Sequence, residues 1–160
     1  PMKHTKRIMT LLALFVLLMN VNNTLASPPI HSVTGSGIVS EEGVTFRTTV
    51  AAFKDDNGQA RGWVVVNLDL TAFGLGKITF HSRVVCLHVN GNSAWVGAVV
   101  THSTNEEIIP VGAHSITLVR DLGGNGEDIM HGELFDPGVS CSDEPQLPET
   151  IVISGNYSVR

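Results

Sequence analysis

Charge and aromatic rings are both scarce in this chain. Charged residues make up 16% and aromatic residues 6% of its 160 positions, with two tryptophans and one tyrosine. Basic residues are the scarcer sign, 10 against 15 acidic ones. That balance lacks the positive footprint which nucleic acid or an anionic membrane surface selects. Cysteine occurs only at Cys86 and Cys141, without a Cys-x-x-Cys spacing, which argues against a redox site. There is no Gly-x-Ser-x-Gly elbow to hold a hydrolase nucleophile. Internal repeats and low-complexity tracts are missing, and almost nothing carries the 3.6-residue period of a helix.

The one long apolar run lies early. Lys3, Lys6 and Arg7 precede the apolar stretch from Ile8 to Met19, and Thr24-Leu25-Ala26 offers small residues to a signal peptidase. Residues 1–26 therefore read as a secretory signal peptide, with an apolar core too short for a stable membrane span. No cysteine follows directly, so a lipoprotein anchor is not expected. Residues 27–160 form one domain of ordinary size, with seven basic residues against fifteen acidic ones and a formal charge of −8. With no second long apolar stretch, this part should be soluble, and secreted or periplasmic. In an exported chain two cysteines favour a disulfide; two unpaired thiols are the alternative. The chain-entropy description gives such a link about 4 kcal/mol at most.

Aliphatic and β-branched residues come in short runs separated by Gly, Asn, Asp and Pro, the pattern of an all-β domain. Eight strands are predicted, over 33–39, 44–54, 60–70, 77–90, 94–102, 114–121, 128–135 and 150–159. Without helices the sheet must cover itself, as a single antiparallel β-sandwich or a flattened barrel. Between the second and third strands a three-residue loop, Asn57 to Gln59, sets Phe46, Thr48, Val50 and Ala52 against Leu70, Leu68, Val66 and Val64. Unlike a two-residue loop, it keeps Lys54 away from Arg61. Taking Asn90-Gly91 as the next central turn pair places Cys86 opposite Trp95 and Val84 opposite Gly97. Both faces of that hairpin are apolar, which predicts a central position covered on both sides. Long loops are expected at 103–113 and 136–149, the second pinned to the sheet if Cys86 and Cys141 pair.

The sharpest polar cluster is the glycine-rich turn from Asp121 to Asp128. Asp121, Asn125, Glu127 and Asp128 offer the oxygen ligands that calcium takes. Gly123 stands where acidic calcium loops carry a ligand, and the alternative is a hairpin turn whose aspartates cap the backbone. The predicted register puts His81 opposite Val100 and diagonal to His102. Two histidines could begin a zinc site, but no third ligand lies on those strands, and exposed strand histidines are the simpler reading. His114 and Ser115 are neighbours on a strand and point to opposite faces, which opposes a base–nucleophile pair. Trp63, Trp95 and Tyr157 could form a sugar-stacking platform, although Trp95 reads better as packing against a disulfide. Asn156-Tyr157-Ser158 fits the glycosylation acceptor pattern.

The stretch Val84-Val85-Cys86-Leu87-His88-Val89-Asn90-Gly91-Asn92-Ser93-Ala94-Trp95-Val96-Gly97 resembles a hairpin of small secreted bacterial domains of unknown function, written Cys-Leu-x-Val-x-Gly-Asn-x-Ala-x-x-Gly. The resemblance continues through Gly35-Ser36-Gly37, the Phe46 strand, the Asp121 to Asp128 turn, Cys141 in a Pro-rich loop and the strand from Ser154 to Val159. The chain departs from it at Leu122-Gly123-Gly124. The resemblance implies a bacterial, exported, all-β domain with no assigned catalytic residues, and adds support for pairing Cys86 with Cys141. Three functions are carried forward: a non-enzymatic binding or structural module of the envelope or extracellular space, a calcium-stabilised binding module, and an exported hydrolase acting on polysaccharide or peptide.

Overall fold

The computed structural model describes residues 29–160 except 124–126, 136 and 139. The expected signal segment and the candidate ligand Asn125 lie outside the described residues. The chain is all-β. Its strands are β1 (His31–Glu41), β2 (Val44–Lys54), β3 (Ala60–Leu70), β4 (Gly76–Asn90), β5 (Ser93–Ser103), β6 (His114–Arg120), β7 (Ile129–Phe135) and β8 (Ser154–Val159). Short 3-10 turns at Thr71–Phe73 and Cys141–Asp143 are the helical pieces among the described residues. All eight strands belong to one antiparallel sheet in the order β7-β6-β5-β4-β3-β2-β1-β8. This is a meander from β1 to β7, with β8 returning along the outer edge of β1.

The sheet curls until its two edges meet. Ile151, just before β8, forms an antiparallel bridge to Ile129 of β7. Met130 N donates to Thr150 O at 2.9 Å, and Val152 N donates to Asp128 O at 2.8 Å. The inner face of the curl collects Val33, Val39, Val50, Val64, Ile78, Val84, Val96, Val119 and Met130 into the main core, each at most 2% exposed. Tyr157 joins them from β8, with its hydroxyl donating to Thr48 O at 2.8 Å. Gly35 and Gly37 make room for that residue. A Cβ on either would stand under 3.0 Å from the Tyr157 ring.

Alternation predicts the faces of β2 and β3 correctly but places two registers two residues off, and on β4 it puts Val84 and Cys86 on one face where the structure separates them. In the β2–β3 loop the three residues are Asp56-Asn57-Gly58, closed by Asp55 N donating to Gln59 O at 3.1 Å. Phe46 therefore pairs with Leu68, not Leu70. The third position of such a loop needs a left-handed residue, and Gly58 fills it with φ 78°. The Asp55 carboxylate fastens the turn by accepting from Asn57 N and Gln59 N at 3.0 and 2.9 Å. Phe46 and Leu70 still pack on the same core.

In the β4–β5 hairpin the central pair is Gly91-Asn92, with Gly91 at φ 59°, the residue order of a type II′ loop. Cys86 consequently faces Gly97, and Trp95 faces His88. Farther along, His81 pairs directly with His102 rather than with Val100, their ring centroids 5.9 Å apart. Two irregularities interrupt this ladder, one at Thr101 and one at Val85. The bulge at Val85 reverses the alternation of β4: Ile78, Phe80, Ser82 and Val84 are buried before it, and Leu87 is buried after it. Cys86 is thereby turned to the outer face of the sheet.

On that outer face Cys86 is bonded to Cys141, with 6.0 Å between the Cα atoms. Gly97 opposite explains the register, since a Cβ there would collide with Cys86 Sγ and stand 3.0 Å from Cys141 Sγ. The 140–149 part of the 136–149 connection is thus held over β5 and β6. Trp95, Ile116, Leu118, Cys141 and Leu147 form a second buried cluster beneath it. The Trp95 indole N–H donates to Pro145 O at 3.2 Å. The β4–β5 hairpin is accordingly covered on both faces.

Candidate functional site

The curl leaves space between the walls it brings together. A cavity of about 170 Å³ lies within the sheet, between β2, β3 and β4 on one side and β6 and β7 on the other. Phe46, Val66, Leu68 and Phe80 supply its apolar wall, and Ile109 reaches in from the β5–β6 connection. Ile109 is 7% exposed, held by the turn in which Ile109 N donates to Asn105 O at 2.9 Å. Leu134 lines the same cavity and is 45% exposed, which marks the mouth at the end of the sheet where β2 begins and β7 finishes.

One lining residue leaves part of the space unfilled. Gly132 pairs with Thr117 and carries no side chain into the lumen. A Cβ at Gly132 would lie 3.4 Å from Thr117 Oγ1, so the position has room for a methyl group that the chain does not place there.

Two hydroxyls interrupt the apolar lining. Thr48 and Thr117 are 2% and 4% exposed, and both line the cavity. Neither is a sealed, unsatisfied oxygen, which among the described residues holds for Ser82 Oγ alone. Ser115 also lines the cavity, but its hydroxyl reaches Ala98 O at 3.5 Å. Ser82 Oγ, on the same inner face, is buried without a partner and does not line the space. Thr48 and Thr117 are therefore polar groups turned towards a space large enough for a small molecule. An apolar cavity with a few fixed polar groups is the usual form of a small-ligand site.

Of the residues singled out as calcium ligands, Asp121, Glu127 and Asp128 are placed at the other end of the sheet, by the seam where its edges meet. Asp128 is 4% exposed; its Oδ1 accepts from Leu122 N at 3.1 Å and its Oδ2 from Tyr157 N at 2.6 Å. Asp121 accepts from Gly123 N at 2.9 Å and from Val159 N at 3.2 Å. Both carboxylates thus bind backbone of their own turn and of β8. Glu127 is exposed. No group of three metal-ligating side chains occurs among the described residues. Arg120 adds an ion pair to Glu149 at 2.6 Å, and His131 Nδ1 reaches Thr150 Oγ1 at 3.2 Å. The acidic turn works as part of a polar clasp across the seam.

The sugar-stacking platform does not form. Trp95 is 7% and Tyr157 1% exposed, each packed in a core, which leaves Trp63 at 47%. His88, beside Trp95, instead joins Asn90 in hydrogen-bonding Glu144 Oε1, at 2.9 and 3.0 Å. Together the two donors lower the Glu144 carboxyl below its ordinary value, with His88 the larger cause.

Thr48, Thr117 and Gly132 are the site residues that the sequence reading did not single out. The available signal was a threonine among Phe46, Val50 and Ala52 on one strand face, and a glycine inside a predicted strand. No family model, no curated protein and no solved structure matches the chain.

Proposed function

We propose that the protein is an exported, non-enzymatic binding module of the envelope or extracellular space, and that its lumen takes up a small apolar molecule. The cavity carries this reading. Its volume of about 170 Å³ is close to that of engineered apolar cavities of about 150 Å³ that bind benzene. Small eight-stranded barrels elsewhere either fill their interior with side chains or hold one small ligand. Here Gly132 leaves the interior partly unfilled. Export is supported by the basic and apolar pattern of residues 1–26 and by the disulfide, a bond that persists in oxidising compartments. Among the described residues no helix is long and apolar enough to cross a membrane. The likeness of the 84–97 hairpin to secreted bacterial domains points the same way.

The test is a thermal melt of the oxidised protein with toluene, beside the Gly132→Ala variant. At ten times its dissociation constant a bound ligand adds about 1.4 kcal/mol, a shift of a few degrees for a domain of this size. Gly132→Ala is expected to melt higher when free, because alanine costs less chain entropy in a strand and fills space. The same variant should bind toluene less tightly. Higher free stability with weaker binding cannot come from general unfolding. A wild-type midpoint unmoved up to the solubility limit of toluene would overturn the proposal.

A further inference from the structure

The lining of the lumen says more than that the ligand is apolar. We infer that the ligand is a neutral molecule of single-ring or short-chain size carrying one hydroxyl, which hydrogen-bonds to Thr48 or Thr117; this inference rests on the lumen being a binding site. The two threonines stand on different walls, β2 and β6, and both line the cavity. A hydroxyl carried into apolar surroundings needs a hydrogen-bond partner, and a threonine hydroxyl on the lining can supply one. Threonine both donates and accepts, so it suits an alcohol or phenol without demanding a charge.

Charge is disfavoured by the same surroundings. The wall of Phe46, Val66, Leu68 and Phe80 offers nothing to pair with an ion. Glu133 does not alter this: it pairs with Ile116 of the outer cluster and its Oε1 takes a hydrogen bond from His131 Nε2 at 3.0 Å, so its carboxylate lies on the outer face and offers an ammonium group in the lumen no partner. The size limit follows from the cavity volume of about 170 Å³.

Four probes of similar shape separate these terms: toluene, benzyl alcohol, benzylamine and benzoate, titrated into the oxidised protein by calorimetry. Benzyl alcohol should bind at least as tightly as toluene, and benzylamine and benzoate at least tenfold more weakly than benzyl alcohol. In the double variant Thr48→Val, Thr117→Val, benzyl alcohol should weaken about tenfold while toluene binds unchanged or tighter. That opposite response is one which a loosened fold does not produce. Toluene binding tenfold tighter than benzyl alcohol in the wild type would leave the apolar lumen standing and overturn the hydroxyl assignment. So would an equal loss for both probes in the variant, or tighter binding of either charged probe. If none of the four binds, the lumen itself is not a site and both readings fall.

Discussion

Glu144 shows how much one side chain can do from the surface of this protein. It sits in the left-handed region at φ 47°, ends the Cys141–Asp143 turn, and turns its carboxylate to His88 and Asn90 on β4. The loop that carries Cys141 is thus tied to β4 by hydrogen bonds as well as by the disulfide. Because the folded-state pKa is depressed, the linked stability is present above the ordinary value of 4.5 and lost as pH falls through the lower folded value. An NMR titration of the Glu144 carboxyl should give a midpoint below 4.5. His88→Ala should move that midpoint upward, because it removes the larger cause. A wild-type midpoint at or above the ordinary value would show that the contact does not persist in solution. Tyr157 is shifted the opposite way for a different reason: burial raises the phenol well above its usual range and keeps it a hydrogen-bond donor to Thr48 O.

Among the elements, β4 carries the most consequential irregularity. Val85 is the extra residue in its ladder with β5, and it lets Ser82, Val84 and Leu87 all face inward while Cys86 faces outward. Deleting Val85 should leave a regular ladder, with Val84 still inward and Cys86 still opposite Gly97, so the Cys86–Cys141 bond should still form. Alkylation of the purified variant would then find no free thiol. Two free thiols would mean that the bulge residue itself is needed to bring Cys86 to Cys141.

The same hairpin shows what a sequence does and does not reveal about a sheet. The eight strand ranges were legible because alternation and the intervening Gly, Asn, Asp and Pro residues mark them locally. The faces were legible too, except on β4, where the bulge at Val85 separates Val84 from Cys86. The registers were not, because a shift of two residues leaves every side chain on its face, so hydrophobic alternation cannot distinguish the two alignments. What separates them is the left-handed position of Gly58, the first turn position of Gly91, and the space that Gly97 leaves for two sulfurs. The clasp of Asp121 and Asp128 was visible as an acidic turn, but its partners Tyr157 and Val159 lie on a distant strand. The cavity had no local signature at all, since it depends on what Gly132 fails to fill between strands remote in sequence.

For the molecule as a whole, the seam is where a curled sheet becomes nearly closed. Backbone pairing there is brief, a single bridge with its flanking bonds, and side chains supply the rest. Asp128 holds both Leu122 N and Tyr157 N, so Asp128→Asn leaves one of the two donors facing an amide NH₂ group. The expected cost is about 1–3 kcal/mol. Hydrogen exchange localises it: the Tyr157 and Val159 amides should exchange faster than in the wild type, while the core of β4 and β5 is least affected. Uniform acceleration across the sheet would mean that the seam has no separate stability. Loss of the clasp should also loosen the inner core at Tyr157 without touching the mouth of the lumen, which lies at the opposite end.

The placement of β8 beside β1 has a consequence in time. Synthesis produces β1 first of the eight strands and β8 last, yet they are neighbours in the finished sheet. Throughout the interval β1 offers an unpaired edge, with Gly35 and Gly37 giving it little side-chain cover on the lumen side. Such an edge is open to pairing with any extended chain it meets. Cys86 likewise waits for Cys141, so the covalent link cannot form until seven of the strands have been made. Until β8 has been made the outer edge of β1 has no partner, and until Cys141 has been made Cys86 is a free thiol.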